Sequence, residues 1–262
     1  PDDSVNALLR LRGLNDEEFV KSHYVVFATK NGTVKKTSLE AYSRPRTNGV
    51  NAINIVEGDE VVDVRLTNGK NEIILANRNG RAVRFDEDSI RTMGRVSTGV
   101  RGMKLDDGDD QVVGMIVVNN AETETVMVVS ENGYGKRSQV EDYRKTNRGG
   151  KGVKTFSITE KTGRLVAIKN VTDDNDLMII NKSGIAIRLA VSECRVMGRA
   201  TQGVRLINLS KKNDVIASVC KVMSTEKEAE VSGDKDDENA TPATDVQATE
   251  APQTEIQTTE TE

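Results

Sequence analysis

Tryptophan is absent from this sequence, Phe and Tyr bring the aromatics to only 3%, and His23 is the single histidine. Any core must therefore be built from Val, Ile, Leu and Met. Single-stranded nucleic acid is a poor fit as a ligand, because it is gripped by stacking on aromatic rings. One histidine and two cysteines, Cys194 and Cys220, offer too few ligands for a structural zinc site, and the thiols form no Cys-x-x-Cys pair. So few thiols in a chain of 262 residues argue against a disulfide framework and for a reducing cytoplasm. No apolar run approaches membrane-spanning length, and the first residues show no signal-peptide pattern.

What is there begins with charge. The formal balance of −4 averages two unlike parts. From Ser224 onward, 12 Asp and Glu stand against 2 Lys; the other 35 Lys and Arg face 29 Asp and Glu, so residues 1–223 carry +6. The segment 224–262 has no aromatic residue and little apolar surface to bury, the composition expected of a disordered acidic tail. A basic body thus carries an acidic tether.

The body is repetitive. Four segments align: "YVVFATKNGTVKKT", "EIILANRNGRAVRF", "TVMVVSENGYGKRS" and "LMIINKSGIAIRLA". Each is a β-rich apolar run, an Asn-Gly or Ser-Gly dipeptide, and a second alternating run, which predicts a hairpin with a type I′ turn. The turn glycines are Gly32, Gly80, Gly133 and Gly184, spaced by 48, 53 and 51 residues. A second shared element follows each: "GVNAINI", "GVRGMKL", "GVKTFSI" and "GVRLINL", and then a further apolar strand. About four strands per repeat, stacked side by side, predict an all-β propeller-like or solenoid array. The repeats are expected to occupy 23–69, 70–121, 122–173 and 174–223, with 1–22 as the second half of an incomplete unit and 224–262 as the tail.

Cations recur in register with these units. Four residues after each hairpin glycine stand Lys36, Arg84, Arg137 and Arg188, with Lys35 and Lys136 beside two of them. Ahead of the second glycine come Arg91, Arg144 and Arg195, then Arg95, Arg148 and Arg199; the first repeat offers Arg44 and Arg46 instead. Two residues past that glycine lie Arg101, Lys154 and Arg205, with Asn51 as the exception. A lone surface arginine is usually just solvated. Equivalent positions in stacked units form a stripe, and a stripe of cations along a curved rim is the footprint of a protein that tracks the phosphates of a duplex. The densest copy is "KTNRGGKGVKT", with Lys145, Arg148, Gly149, Gly150, Lys151, Gly152 and Lys154.

Other chemistries lack their parts. "EGDE", "DDGDD" and "TDDND" do not have the spacing of a calcium loop and read as exposed turns. "NRGGKG" does not match the P-loop spacing, so nucleotide hydrolysis is not expected. His23 and the four tyrosines have no visible nucleophile–base partner, and no catalytic or metal-binding residues are assigned.

The run of "YVVFATKNGTVKKTSLEAY", "EGDEVVDVRLT", "GRAVRFDEDSIRTMGRVSTGVRGMKL", "ENGYGKRSQVEDYR" and "MGRATQGVRLINL" resembles the C-terminal domain of the bacterial DNA gyrase A protein over the whole body. The resemblance implies a β-pinwheel, here with four complete four-stranded blades and a half blade, whose blades exchange strands with their neighbours and whose basic rim wraps double-stranded DNA in support of ATP-dependent negative supercoiling. It also implies partners: the breakage-reunion domain of the same polypeptide and the gyrase B protein of an A2B2 holoenzyme, in the cytoplasm at the nucleoid. ATP and magnesium would belong elsewhere in that holoenzyme, with no cofactor in this chain. The family's QRRGGKG box belongs to its first blade, whereas "TNRGGKG", 146–152, is the counterpart loop of a later one. None of Tyr24, Tyr42, Tyr134 or Tyr143 sits in the family's DNA-cleaving motif, so this chain alone is not expected to be an enzyme. The related topoisomerase IV domain, and a propeller that binds acidic proteins, are the alternative readings.

Overall fold

The computed structural model describes residues 5–44, 46–209 and 214–224; the acidic segment from 225 onward, with the disorder expected of it, lies outside the described residues. Fifteen strands occupy the described body. The first sheet orders β3 (Val61–Thr67), β1 (Tyr24–Thr29), β2 (Thr33–Ser38) and β6 (Val100–Arg101). In the second, β7 (Val112–Val118), β4 (Glu72–Asn77), β5 (Arg81–Asp86) and β10 (Val153–Lys154) follow the same pattern. The third orders β11 (Leu165–Val171), β8 (Thr125–Ser130), β9 (Tyr134–Gln139) and β14 (Val204–Arg205). The fourth has three strands, β15 (Ile216–Met223), β12 (Asn175–Asn181) and β13 (Ala186–Ala190). All pairs are antiparallel, and the sheets form the blades of a propeller.

Blade and sequence repeat are out of step. The outermost strand of each four-stranded blade, β6, β10 or β14, comes from the repeat after the one that supplies its hairpin. The fourth blade therefore has three strands among the described residues. The opening segment forms no strand there either: residues 5–16 are irregular and 17–22 make the short helix α1 (Glu17–Ser22). Asp16 caps that helix, its carboxylate accepting hydrogen bonds from the Glu18 and Phe19 amides.

The hairpin turns differ from the type I′ expectation. The amide of Gly32 donates to Thr29, that of Gly80 to Asn77, that of Gly133 to Ser130 and that of Gly184 to Asn181. Each glycine is thus the fourth residue of its turn rather than a central one, so the loop is one residue longer than the dipeptide suggested.

Side chains alternate across a strand, so a blade has two faces to bury. Val26, Ala28 and Val34 of the first blade pack on Ile73, Leu75, Val83 and Phe85 of the second. Ile74, Ala76 and Ile116 meet Val126, Val128 and Ile168, and beyond them Met127, Val129 and Ala167 meet Leu177, Ile179 and Val219. Burial on both faces explains why β4 and β8 read as continuous apolar runs. The first blade's other face, Val25, Phe27 and Leu39, is covered by Leu9, Leu11, Leu14, Phe19 and Val20.

Candidate nucleic-acid interface

The outermost strands carry one series of cations. Arg101, Lys154 and Arg205 are exposed on β6, β10 and β14, at the edges of three successive blades. The residue that leads into each strand has room for nothing larger than glycine. Gly152 has φ +72°, and a Cβ there would collide with the Ala82 carbonyl on β5; Gly203 repeats this against Gly135.

The loop before each of these glycines supplies the next series. Arg91, Arg144 and Arg195 are exposed, with no carboxylate in ion-pair range among the described residues. Arg95, Arg148 and Arg199 are half-buried and reach back along the rim. Arg148 donates from Nε to the Ser89 carbonyl (2.9 Å) and from a terminal nitrogen to that of Arg101 (2.9 Å). Arg199 does the same to Asp142 (2.8 Å) and Lys154 (2.5 Å), and Arg95 reaches Ala41 (3.2 Å). The bonds of Arg148 and Arg199 tie each loop to the outer strand of the blade before, at Arg101 and Lys154. Exposed Arg44 and Arg46 share a hollow with Arg95. A second hollow is lined by Arg84, Arg144, Arg148 and Lys151 together with Gly149, Gly150 and Gly152.

The cations after the hairpin glycines are engaged by carboxylates or carbonyls, Arg84 at the edge of the second hollow included. Arg137 is buried: one terminal nitrogen donates to the carbonyls of Val191 (3.0 Å) and Cys194 (3.2 Å) in the next repeat and meets Asp173 at 2.7 Å. Arg84 makes the same bonds to Val140 and Tyr143 and pairs with Glu72 at 2.5 Å. Lys36 is buried against Glu87 at 3.0 Å, 4.5 Å from the centre of the Tyr24 ring. Arg188, on the fourth blade, pairs with Asp176 (2.6 Å) and donates to the Met223 carbonyl. Lys36, Arg84 and Arg137 fasten one repeat to the next, whereas these two partners of Arg188 belong to its own blade; the whole series is already engaged. Lys35 and Lys136, expected on the rim, are fully buried, and burial with a neighbouring arginine charge lowers their pKa values to about 8 and about 7.

Two exposed lysines are partly neutralised. Lys145 lies 2.6 Å from Glu72 and 2.9 Å from Asp86, which raises its pKa by hydrogen bonding. Lys151 pairs with Asp106 at 3.0 Å, and that bond holds the Asp106 carboxyl below its usual range. Missed in the sequence is Lys161, whose ammonium lies 5.4 Å from the Tyr134 ring centre; Arg205 lies 5.5 Å from the same centre and donates to the Tyr134 hydroxyl. Lys161 falls outside the repeated spacings, and only its proximity to β14 betrays it. The acidic clusters serve turns: Asp59 accepts from the Asn31 and Glu60 amides, and Asp110 from those of Asn79 and Gln111. Among the described residues no group of three or more His, Cys, Asp or Glu could hold a metal ion, and no helix is long and apolar enough to cross a membrane.

Comparison with known proteins agrees with this architecture. A family model described as the DNA gyrase C-terminal domain, beta-propeller, matches residues 23–68, 71–119, 124–172 and 175–220. The DNA gyrase A protein of Staphylococcus epidermidis is 43% identical over 221 residues, 84% of this chain and 24% of the relative. That of Staphylococcus aureus strain MRSA252 is likewise 43% identical. The chain thus spans about a quarter of the length of these relatives. Among solved structures, the C-terminal domain of DNA topoisomerase IV matches with a TM-score of 0.73 at 29% identity, over 82% of this chain and 67% of that one. A DNA gyrase A C-terminal domain matches at 0.69 and 26%, over 78% and 67%.

Proposed function

This chain belongs to the family of DNA gyrase C-terminal domains, and we propose that its body binds double-stranded DNA along the outer rim and bends it there. The observation that carries the reading is the repetition of exposed cations, Arg91, Arg144 and Arg195 in the loops and Arg101, Lys154 and Arg205 on the outer strands, at matching places on successive blades. Such contacts meet phosphates and carry no base information, so binding tolerates sequence. Arg44 and Arg46 extend the row at one end. The "RGGKG" loop contributes Arg148 and Lys151, beside Arg144 in the same hollow, with glycine backbone that a phosphate can approach. Lys36, Arg84 and Arg137 support the rim from inside and do not touch DNA in this reading.

In the longer protein, wrapping would present a second duplex to a breakage-reunion domain of the same polypeptide and act with the gyrase B protein, ATP and magnesium in negative supercoiling. The setting would be the cytoplasm, at the nucleoid. Mobility shift with duplex DNA across a salt series tests the reading. Log affinity should fall with log salt by roughly 0.9 per phosphate contacted, so about six contacts predict a slope near −5. An affinity indifferent to salt, or a preference for acidic protein, overturns it. The likeness to the topoisomerase IV domain favours a second reading, in which the parent protein decatenates. A topology assay on the full-length holoenzyme separates negative supercoiling from decatenation.

A further inference from the structure

Two lysines lie where a propeller core should be apolar. Lys35 and Lys136 occupy the third position after the hairpin glycine and are 0% and 1% exposed; the same position in the second repeat holds Val83, at 1%. The Lys136 ammonium donates to the carbonyl of Gly198 at 2.8 Å and to that of Arg199. The Lys35 ammonium donates to the carbonyls of Ala52 at 2.5 Å and of Arg95. Both therefore grip, from beneath, the backbone of a rim loop at the arginine that bridges two blades. The loop held by Lys35 also leads to Arg101, and that held by Lys136 to Arg205. The third rim loop, which carries Arg148, passes over Val83 and is held by its own backbone: the Gly149 amide donates to the Gly102 carbonyl at 2.6 Å, and the Gly150 carbonyl accepts from the Lys104 amide at 2.9 Å.

We propose that Lys35 and Lys136 are positioning residues for the DNA-binding rim, locking two of its loops in place, a role that the loop over Val83 fills with its own backbone bonds. Taking a lysine out of water is costly, and an apolar side chain of the same length would suit these sites better for stability alone. Their carbonyl partners lie in the loops that carry the rim cations. The charges that act on Lys136 are those of Arg199, Asp142 and Lys154, and that of Arg95 acts on Lys35. The proposal rests on the rim-binding reading above.

The test uses the whole 262-residue chain. Lys136→Met should keep the melting temperature at pH 7 yet lose about one phosphate from the salt slope, which means roughly eightfold weaker duplex binding at about 0.1 M salt and no difference near 1 M. Lys136→Arg, which keeps a buried donor, should retain most of the slope, and Val83→Ala should lower the melting temperature without changing the slope. A Lys136→Met protein with the wild-type slope, or one whose binding loss merely tracks a lost melting temperature, overturns the proposal. Amide hydrogen exchange, compared between Lys136→Met and the unmutated chain, provides an arm that needs no DNA. Amides of 195–201 should exchange about tenfold faster in the variant while those of 144–150 keep their rate; unchanged exchange at 195–201 sinks the idea. Unmutated chain that fails to bind duplex refutes the rim reading instead, and the exchange comparison still decides the positioning.

Discussion

Arg137 and Arg195 belong to neighbouring repeats and have the same chemistry, yet the structure gives them opposite work. Arg137 is buried with four oxygen partners, from Thr125, Asp173, Val191 and Cys194. Arg195 is exposed, with no carboxylate within ion-pair range among the described residues. Arg137→Ala should cost about 3 kcal/mol or more, because charge-assisted bonds are removed and buried carbonyls lose their donor. In a body of this size that is a fall in melting temperature of roughly 6–12 °C. Arg195→Ala should stay within about 0.5 kcal/mol and instead reduce the salt slope of duplex binding by about 0.9. Thermal melts and binding isotherms on the two variants check the division of labour. The buried lysines add a pH signature. Their folded-state pKa values, about 8 for Lys35 and about 7 for Lys136, lie below the unfolded value of 10.5. The folded state therefore binds protons less readily than the unfolded chain, and stability rises as pH climbs from about 7 towards 10. Melting temperature should increase over that window, and the increase should shrink in Lys136→Met.

At the scale of elements, the outer strands β6, β10 and β14 are two residues long and come from the following repeat. Their docking depends on the glycine before them. Gly152→Ala introduces a Cβ at φ +72° against the Ala82 carbonyl and should release β10 from β5, at a cost of about 2 kcal/mol or more. The readouts are hydrogen exchange of the Val153 and Lys154 amides, which should accelerate, and duplex binding, which should weaken because Lys154 leaves the rim. Unchanged exchange at those amides would count against the strand swap. The same elements show what was legible in the sequence. Four hairpins were readable because alternation and Asn-Gly or Ser-Gly are local signals. The swap came only with the family resemblance, because a repeat spacing is the same whether its last strand pairs at home or next door. Nor did the spacing separate Arg84 from Arg91. Both recur in register, and only the packing of one blade on the next decides which is engaged and which is exposed. The turn glycines were found, but their place in the turn depended on one extra loop residue.

For the whole molecule, the decisive quantity is the shape of the cation row. Arg101, Lys154 and Arg205 stand on successive blades of a propeller, so the row is curved, and a straight duplex cannot meet all of it. Smooth bending by about 40–90° costs on the order of 1–6 kcal/mol, which the extra phosphate contacts must offset. DNA that is already bent escapes that cost. A covalently closed minicircle should therefore compete for the body at least about fivefold better than a linear duplex of the same length and sequence, since about 1 kcal/mol is a factor of five. The preference should fall when Arg91, Arg144 and Arg195 are replaced together, because fewer contacts remain to repay a bend. Competition binding at fixed salt measures both ratios. Equal affinity for circle and line would mean that the duplex lies across one or two blades without following the rim, and the reading would shrink from wrapping to simple adhesion.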